Sequence, residues 1–214
     1  MYYRAPLFNL DTQIWSHREF ETKKDVLRYL ETQIKYPGEY NIQHAAGVWN
    51  EQGLLWTKQG YYNTFITNSI DFRKHWDAEK EKCKLDGFII YQSDTYEQVI
   101  PCLYYWYLNY TPIYDKMKKK IAFGDIWDGD LHTYFAILMC LLEGKHFVCL
   151  KKRQFGMSFK ITSILLNGAW FSEAAKIKMF SYAGVHTENS WIFLEQFRDH
   201  INKFCGWNRG FDPN

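Results

Sequence analysis

Apolar residues recur along this chain with different periods, and each period predicts a different element. Between residues 20 and 36, Val26, Leu27, Leu30 and Ile34 fall on one side of a helical period within a charged stretch. This predicts an amphipathic helix ended by Tyr36-Pro37-Gly38. Residues 37–65, rich in Gly, Asn, Gln and Tyr, read as a loop with short strands. The segment Leu103-Tyr104-Tyr105-Trp106-Tyr107-Leu108 puts aromatics on every side of a helix, which suits burial between layers better than stacking on bases. A helix over 130–143 follows, with Gly144 placed to end it.

The second half has an alternating rhythm. His146-Phe147-Val148-Cys149-Leu150 is a short apolar run suited to a buried parallel strand. Ile161, Ile164, Leu165, Gly168 and Ala169 then recur on one helical face. Lys176 to Tyr182 has strand composition, and residues 186–203 read as a helix with Phe193, Leu194, Phe197 and Ile201 on one side. The order strand, loop, helix, strand, helix predicts an α/β fold. Its form is a P-loop NTPase-type parallel sheet, the start of an ATPase core, preceded by a mainly helical, aromatic-rich N-terminal region. Three segments follow: an extension over 1–65, an aromatic-rich helical lead-in over 66–125 and an incomplete core over 126–214.

The loop between the first strand and its helix carries the chemistry. Lys151-Lys152-Arg153-Gln154-Phe155-Gly156-Met157-Ser158 matches the phosphate-cradling pattern G-x-x-x-x-G-K-[ST] at Gly156 and Ser158. It departs from that pattern where Lys151 replaces the first Gly and Met157 replaces the Lys. A Lys ammonium is a point charge on a flexible stem, so one entering from Lys151 could serve the same phosphate oxygens. Ser158 keeps a hydroxyl for Mg²⁺ at a helix N-terminus that favours anions, and Arg153 adds a fixed positive fork. The alternative is a basic strand-to-helix turn with solvated charges.

These residues resemble the large terminase subunits of tailed bacteriophages, the ATP-driven motors that package DNA into capsids. The likeness includes Arg153-Gln154 ahead of the Gly and the Lys moved to the front at Lys151. It extends to Phe72-Arg73-Lys74-His75-Trp76, then Cys83, then the run Pro101 to Ile113, similar to the "YFYLNYxPI" segment of crAss-like and other large phages. Ile126-Trp127-Asp128-Gly129-Asp130 resembles the entry to the helix before the first core strand. The resemblance covers roughly residues 65–200.

That resemblance implies ATP and Mg²⁺ as cofactors. Lys151, with Lys152 as competitor, would contact the β/γ-phosphates, and Gln154, Phe155, Gly156 and Met157 would form the loop around them. Ser158 would bind Mg²⁺, and Arg153 would be the arginine finger. The implied partners are double-stranded viral DNA, the portal protein and the small terminase subunit. The full form would be a homo-oligomeric ring in the host cytoplasm, with an endonuclease besides the ATPase. No apolar run ending in Asp-Glu follows the loop, so the chain is expected to be the N-terminal part of a larger motor, inactive alone, with an exposed sheet edge. The other readings are a non-catalytic P-loop-like scaffold module and a helicase-type ATPase fragment.

Composition narrows the picture little. A net charge of +2 gives no global field toward DNA, although the run Lys116-Met117-Lys118-Lys119-Lys120 is locally basic. Five Cys without C-x-x-C pairing favour free thiols, and seven His without ligand spacing argue against a structural zinc. Neither a signal-like N-terminus nor a bilayer-length apolar run is present, so a soluble protein is expected. Asp125, Asp128 and Asp130 could hold a divalent ion, but an N-cap at Asp128 or Asp130 is the simpler reading. His186, beside Thr187 and Glu188, reads as a helix start rather than a catalytic base.

Overall fold

The computed structural model describes residues 3–36, 39–40, 69–115, 119–124, 126–150, 156–171 and 184–207. The class is α/β, but its main sheet is mixed and comes from the N-terminal half. Strands β1 (Tyr3–Asn9) and β2 (Ile14–Phe20) form a hairpin whose turn is held by Asn9, its Oδ1 accepting from the N–H groups of Asp11 and Thr12. Strands β3 (Phe88–Gln92) and β4 (Glu97–Pro101) form a second hairpin. The two join through parallel pairing of β1 with β3, Leu7 opposite Ile90, giving the order β2-β1-β3-β4. Phe88 to Tyr91 are all buried, as a strand covered on both faces should be.

Helix α1 (Lys23–Gln33) confirms the first amphipathic prediction, with Val26 and Leu30 buried. It opens with a capping box in which Thr22 Oγ1 accepts from the Asp25 N–H and Asp25 Oδ2 from the Thr22 N–H. Tyr29 and Arg18 both donate to the Glu97 carboxylate, at 2.9 Å each, tying α1 and β2 to β4.

Helix α2 (Ile70–Glu81) and helix α3 (Cys102–Tyr110) meet in the centre of the molecule. All nine residues of α3 are buried, as the all-round aromatic pattern predicts. Its polar atoms are matched: Tyr105 and Tyr110 donate to Glu79 Oε2 at 2.8 and 2.7 Å, and Trp106 Nε1 donates to the Ser163 carbonyl at 3.0 Å. Strands β5 (Ile113–Asp115) and β6 (Lys120–Ala122) make a short hairpin, so the described end of the basic run, Lys120, begins a strand. Helix α4 (Asp128–Glu143) ends where expected. Gly144 takes φ +69°, and the N–H groups of Gly144 and Lys145 bond back to Leu141 and Cys140.

Three sequence expectations need correction. Among the described residues the N-terminal region holds sheet strands at 3–20 and 88–101 beside its helices, so there it is mixed rather than mainly helical. Residues 146–150 are not a strand: they pair with no described strand, and Val148 and Leu150 are 83% and 97% exposed. No described strand therefore leads into the loop, and a parallel P-loop sheet is not seen among the described residues. A short apolar run becomes a strand only where a neighbour supplies its hydrogen bonds. The predicted strand at 176–182 and nearly all of the 37–65 loop lie outside the described residues. No helix among the described residues is long and apolar enough to cross a membrane.

Helices α5 (Met157–Phe171) and α6 (Gly184–Cys205) are both present where periodicity places them. On α6, Leu194, Phe197 and Ile201 are buried and Phe193 is half-buried, as predicted. On α5 the buried face is not the predicted one. Thr162, Ser163, Leu166, Asn167 and Trp170 face the interior, while Ile161 is exposed and Ile164 and Leu165 are half-buried. Hydrogen bonds explain the exchange. Besides the Trp106 contact, Thr111 Oγ1 donates to Ser163 Oγ at 3.1 Å, and Asn167 Nδ2 donates to the Cys83 carbonyl at 2.7 Å.

Candidate functional site at the start of helix α5

Of the residues assigned to nucleotide binding, Lys151, Lys152, Arg153, Gln154 and Phe155 lie outside the described residues, whereas Gly156, Met157 and Ser158 lie within them. Gly156 immediately precedes α5 with φ +69°, the left-handed region that costs an L-residue about 1 kcal/mol. A Cβ built there meets nothing within 4 Å, so the need for glycine is conformational rather than steric. Its carbonyl accepts from the N–H groups of Phe159 and Lys160 at 3.1 and 3.2 Å, which opens the helix. The N–H groups of Met157 and Ser158 come before any intrahelical acceptor and are the ones a bound anion would meet.

The side chains at this turn divide by face. Met157 is buried, whereas Ser158 is exposed, as a hydroxyl that binds a metal or phosphate must be. Phe159 packs on Phe193 of α6, ring centroids 4.3 Å apart. Lys160 is buried, and its ammonium donates to Asp130 Oδ1 at 2.5 Å. Asp130 belongs to the first turn of α4, so the pair joins the N-terminal turns of two helices. Burial pushes the Asp130 carboxyl above its ordinary range, partly opposed by the hydrogen bond and charge of Lys160.

Sequence reasoning missed this pair. The expected N-cap at Asp128 or Asp130 is not the one found: the N-cap of α4 is Trp127, which makes no side-chain capping bond. Asp125 lies outside the described residues, and among those described no group of three His, Cys, Asp or Glu is placed to hold a metal. A Lys three positions after Met157, the one charged residue of the helix, was the available signal. Glu79 was missed too. It falls on the same α2 stripe as Phe72 and Trp76, at i, i+4 and i+7, which marks a carboxylate directed into the core. Burial pushes its carboxyl upward, but the Lys82 ammonium and the hydrogen bonds from Tyr110 and Tyr105 outweigh that and hold it below its ordinary value.

The contacts of α5 and α6 also set their relative direction. Phe159, near the start of α5, meets Phe193, and Phe171, its last residue, meets Trp207 just beyond the end of α6. The helices therefore run side by side in the same sense. A cleft of about 200 Å³ lies elsewhere, bounded by Arg4, His17, Glu81, Lys84 and Phe88, and contains no residue of the loop.

No family model matches the chain, and no curated protein or solved structure does so. The chemistry of the site thus rests on its own residues. A left-handed glycine, two leading N–H groups without an intrahelical acceptor, an exposed serine hydroxyl and a basic triplet just upstream in sequence suit a phosphate-bearing ligand.

Proposed function

We propose that this chain is the ATPase-side part of a terminase-like DNA-packaging motor, with Mg²⁺-ATP bound at the turn into α5. Gly156 carries the reading. It takes the backbone conformation that only glycine adopts cheaply, in register with the P-loop glycine and ahead of the hydroxyl residue. Lys151 and Lys152 supply charge to the β/γ-phosphates, Gln154, Phe155 and Met157 complete the loop, Ser158 holds Mg²⁺, and Arg153 is the arginine finger. In the full motor, ATP hydrolysis drives double-stranded DNA through the portal, with the small subunit presenting the DNA. A nuclease cuts it in the host cytoplasm.

Two further features support this. Side-by-side parallel helices joined by about a dozen residues are what the crossovers of a parallel sheet produce. The half-exposed stripe of Ile161, Ile164 and Leu165, with exposed Val148 and Leu150, leaves apolar surface that such a sheet would cover. One observation favours the second reading, a non-catalytic scaffold module: the run before the loop is exposed and pairs with no described strand, whereas a working P-loop hangs from a strand. Calorimetry with Mg²⁺-ATP separates the two. The motor reading expects binding that Lys151→Ala and Ser158→Ala each weaken tenfold or more, with Arg153→Ala slowing hydrolysis while leaving affinity nearly unchanged. Absence of binding by the folded chain favours the scaffold.

A further inference from the structure

We propose that the cleft between the β1–β2 hairpin and the end of α2 binds a small organic oxyanion, a phosphate or carboxylate carrying a short apolar group, between Arg4 and Lys84. The cleft of about 200 Å³ is bordered by Arg4 and Pro6 of β1, His17 of β2, and Glu81, Lys84 and Phe88. A second hollow of about 100 Å³ adjoins it and is lined by Tyr3, Phe20, Val26 and Leu142. Arg4, Lys84, Gly87 and Phe88 border both. Two cations thus stand at the shared wall of a polar hollow and an apolar one. A ligand with a charged head and an apolar group satisfies both sides at once.

The backbone places both cations before any ligand arrives. Arg4 stands opposite Glu19 in the hairpin, and His17, two residues along β2, shares its face of the sheet. Lys84 opens a tight turn in which the Gly87 N–H donates to the Lys84 carbonyl at 3.1 Å, while the Gly87 carbonyl accepts from the Cys102 N–H at 2.9 Å. Glycine keeps that turn close, since a Cβ there would stand 3.0 Å from Cys102 Sγ and 3.2 Å from Lys84 Cβ. Each cation faces an acidic partner, Glu19 for Arg4 at 3.3 Å and Glu81 for Lys84, and all four side chains are exposed. Ion pairs so exposed hold weakly, so an anion replaces them at little cost. The guanidinium is a planar fork of N–H donors that matches a phosphate or a carboxylate. Glu81 in the larger hollow and Asp86 in the smaller oppose a polyanion and favour a single charged head.

The test is an NMR titration of the isotope-labelled full chain with phenyl phosphate, benzoate and inorganic phosphate, which reads the site residue by residue and is independent of the nucleotide loop. Phenyl phosphate or benzoate is expected to shift the Gly87 and Phe88 amides saturably, and the tighter of the two names the head. Arg4→Gln and Lys84→Gln, both at exposed positions and with their fold checked by the amide spectrum, are each expected to weaken that binding roughly fivefold or more. Inorganic phosphate, which lacks the apolar group, is expected to bind roughly threefold more weakly or worse. Unchanged affinity in both variants overturns the role of the cations, and equal binding of inorganic phosphate overturns that of the apolar hollow. Shifts confined to Gly156 and Ser158, or no saturable shift with any of these ligands, overturn the site as a whole. The first of those two results leaves the nucleotide loop standing.

Discussion

Two short apolar runs of similar composition meet opposite fates in this molecule. Phe88-Ile89-Ile90-Tyr91 lies in an inner strand of the sheet, between β1 and β4, and is buried. His146-Phe147-Val148-Cys149-Leu150 is nearly as apolar and equally rich in strand-forming residues, yet it pairs with no described strand and its Leu150 is 97% exposed. The difference is in the neighbours. All four residues pair with β4 on one side, and Ile90 and Tyr91 pair with β1 on the other, so backbone groups and side chains are satisfied together. Strand character is a property of the pair rather than of the run.

The largest effect is expected where pairing and burial coincide. Ile90→Ala should destabilise the fold by about 2–5 kcal/mol, read as a lower denaturant midpoint with an unchanged slope in a urea titration. A fall of under 1 kcal/mol would mean the centre of the sheet is far less tightly packed than its burial indicates.

Next comes the buried carboxylate that links α2 to α3. Glu79→Gln removes the charge that Lys82, Tyr105 and Tyr110 all face, and should cost roughly 1–3 kcal/mol near pH 7. Because the folded carboxyl sits below its ordinary value, its contribution is present above the unfolded value near 4.5 and is lost as pH falls through the folded one. Wild-type stability should thus drop more steeply than that of Glu79→Gln as pH is lowered below 4.5. Parallel curves would remove the charge from the account.

A smaller loss, about 1 kcal/mol, is expected for Gly156→Ala from its left-handed backbone, with thermal melting as the measure. Gly156→Asn, which tolerates that conformation better, should recover part of it. The smallest effect should come from the exposed run. Leu150→Lys is expected to change stability by no more than about 0.5 kcal/mol, and a loss above 1 kcal/mol would show that the isolated chain already packs this run.

Much of the helical structure was legible because periodicity is local. The stripe of Val26, Leu27, Leu30 and Ile34 and the all-round aromatics of α3 each declare a helix within a dozen residues, and Gly144 marks an end by its own conformational freedom. The sheet was not legible. β1 contains Pro6, β2 is mostly exposed and shows no clean alternation, and the pairing of β1 with β3 joins residues such as Leu7 and Ile90 that share no local signal. At the site, the glycine and the helix start could be read from the motif. The Asp130–Lys160 pair could not, because it depends on how two helices cross.

The parallel pairing of β1 with β3 also orders events in time. Tyr3 to Phe20 emerge before β3 during synthesis, and the partner that makes their hairpin part of a sheet is some eighty residues behind. A lone two-stranded hairpin is marginally stable in water, so the N-terminal strands must wait for β3 to leave the ribosome before they hold a lasting shape. Closing so long a loop makes this a slow step for the fold, and during it the inner edge of β1, later covered by β3, stays open to any other strand that finds it.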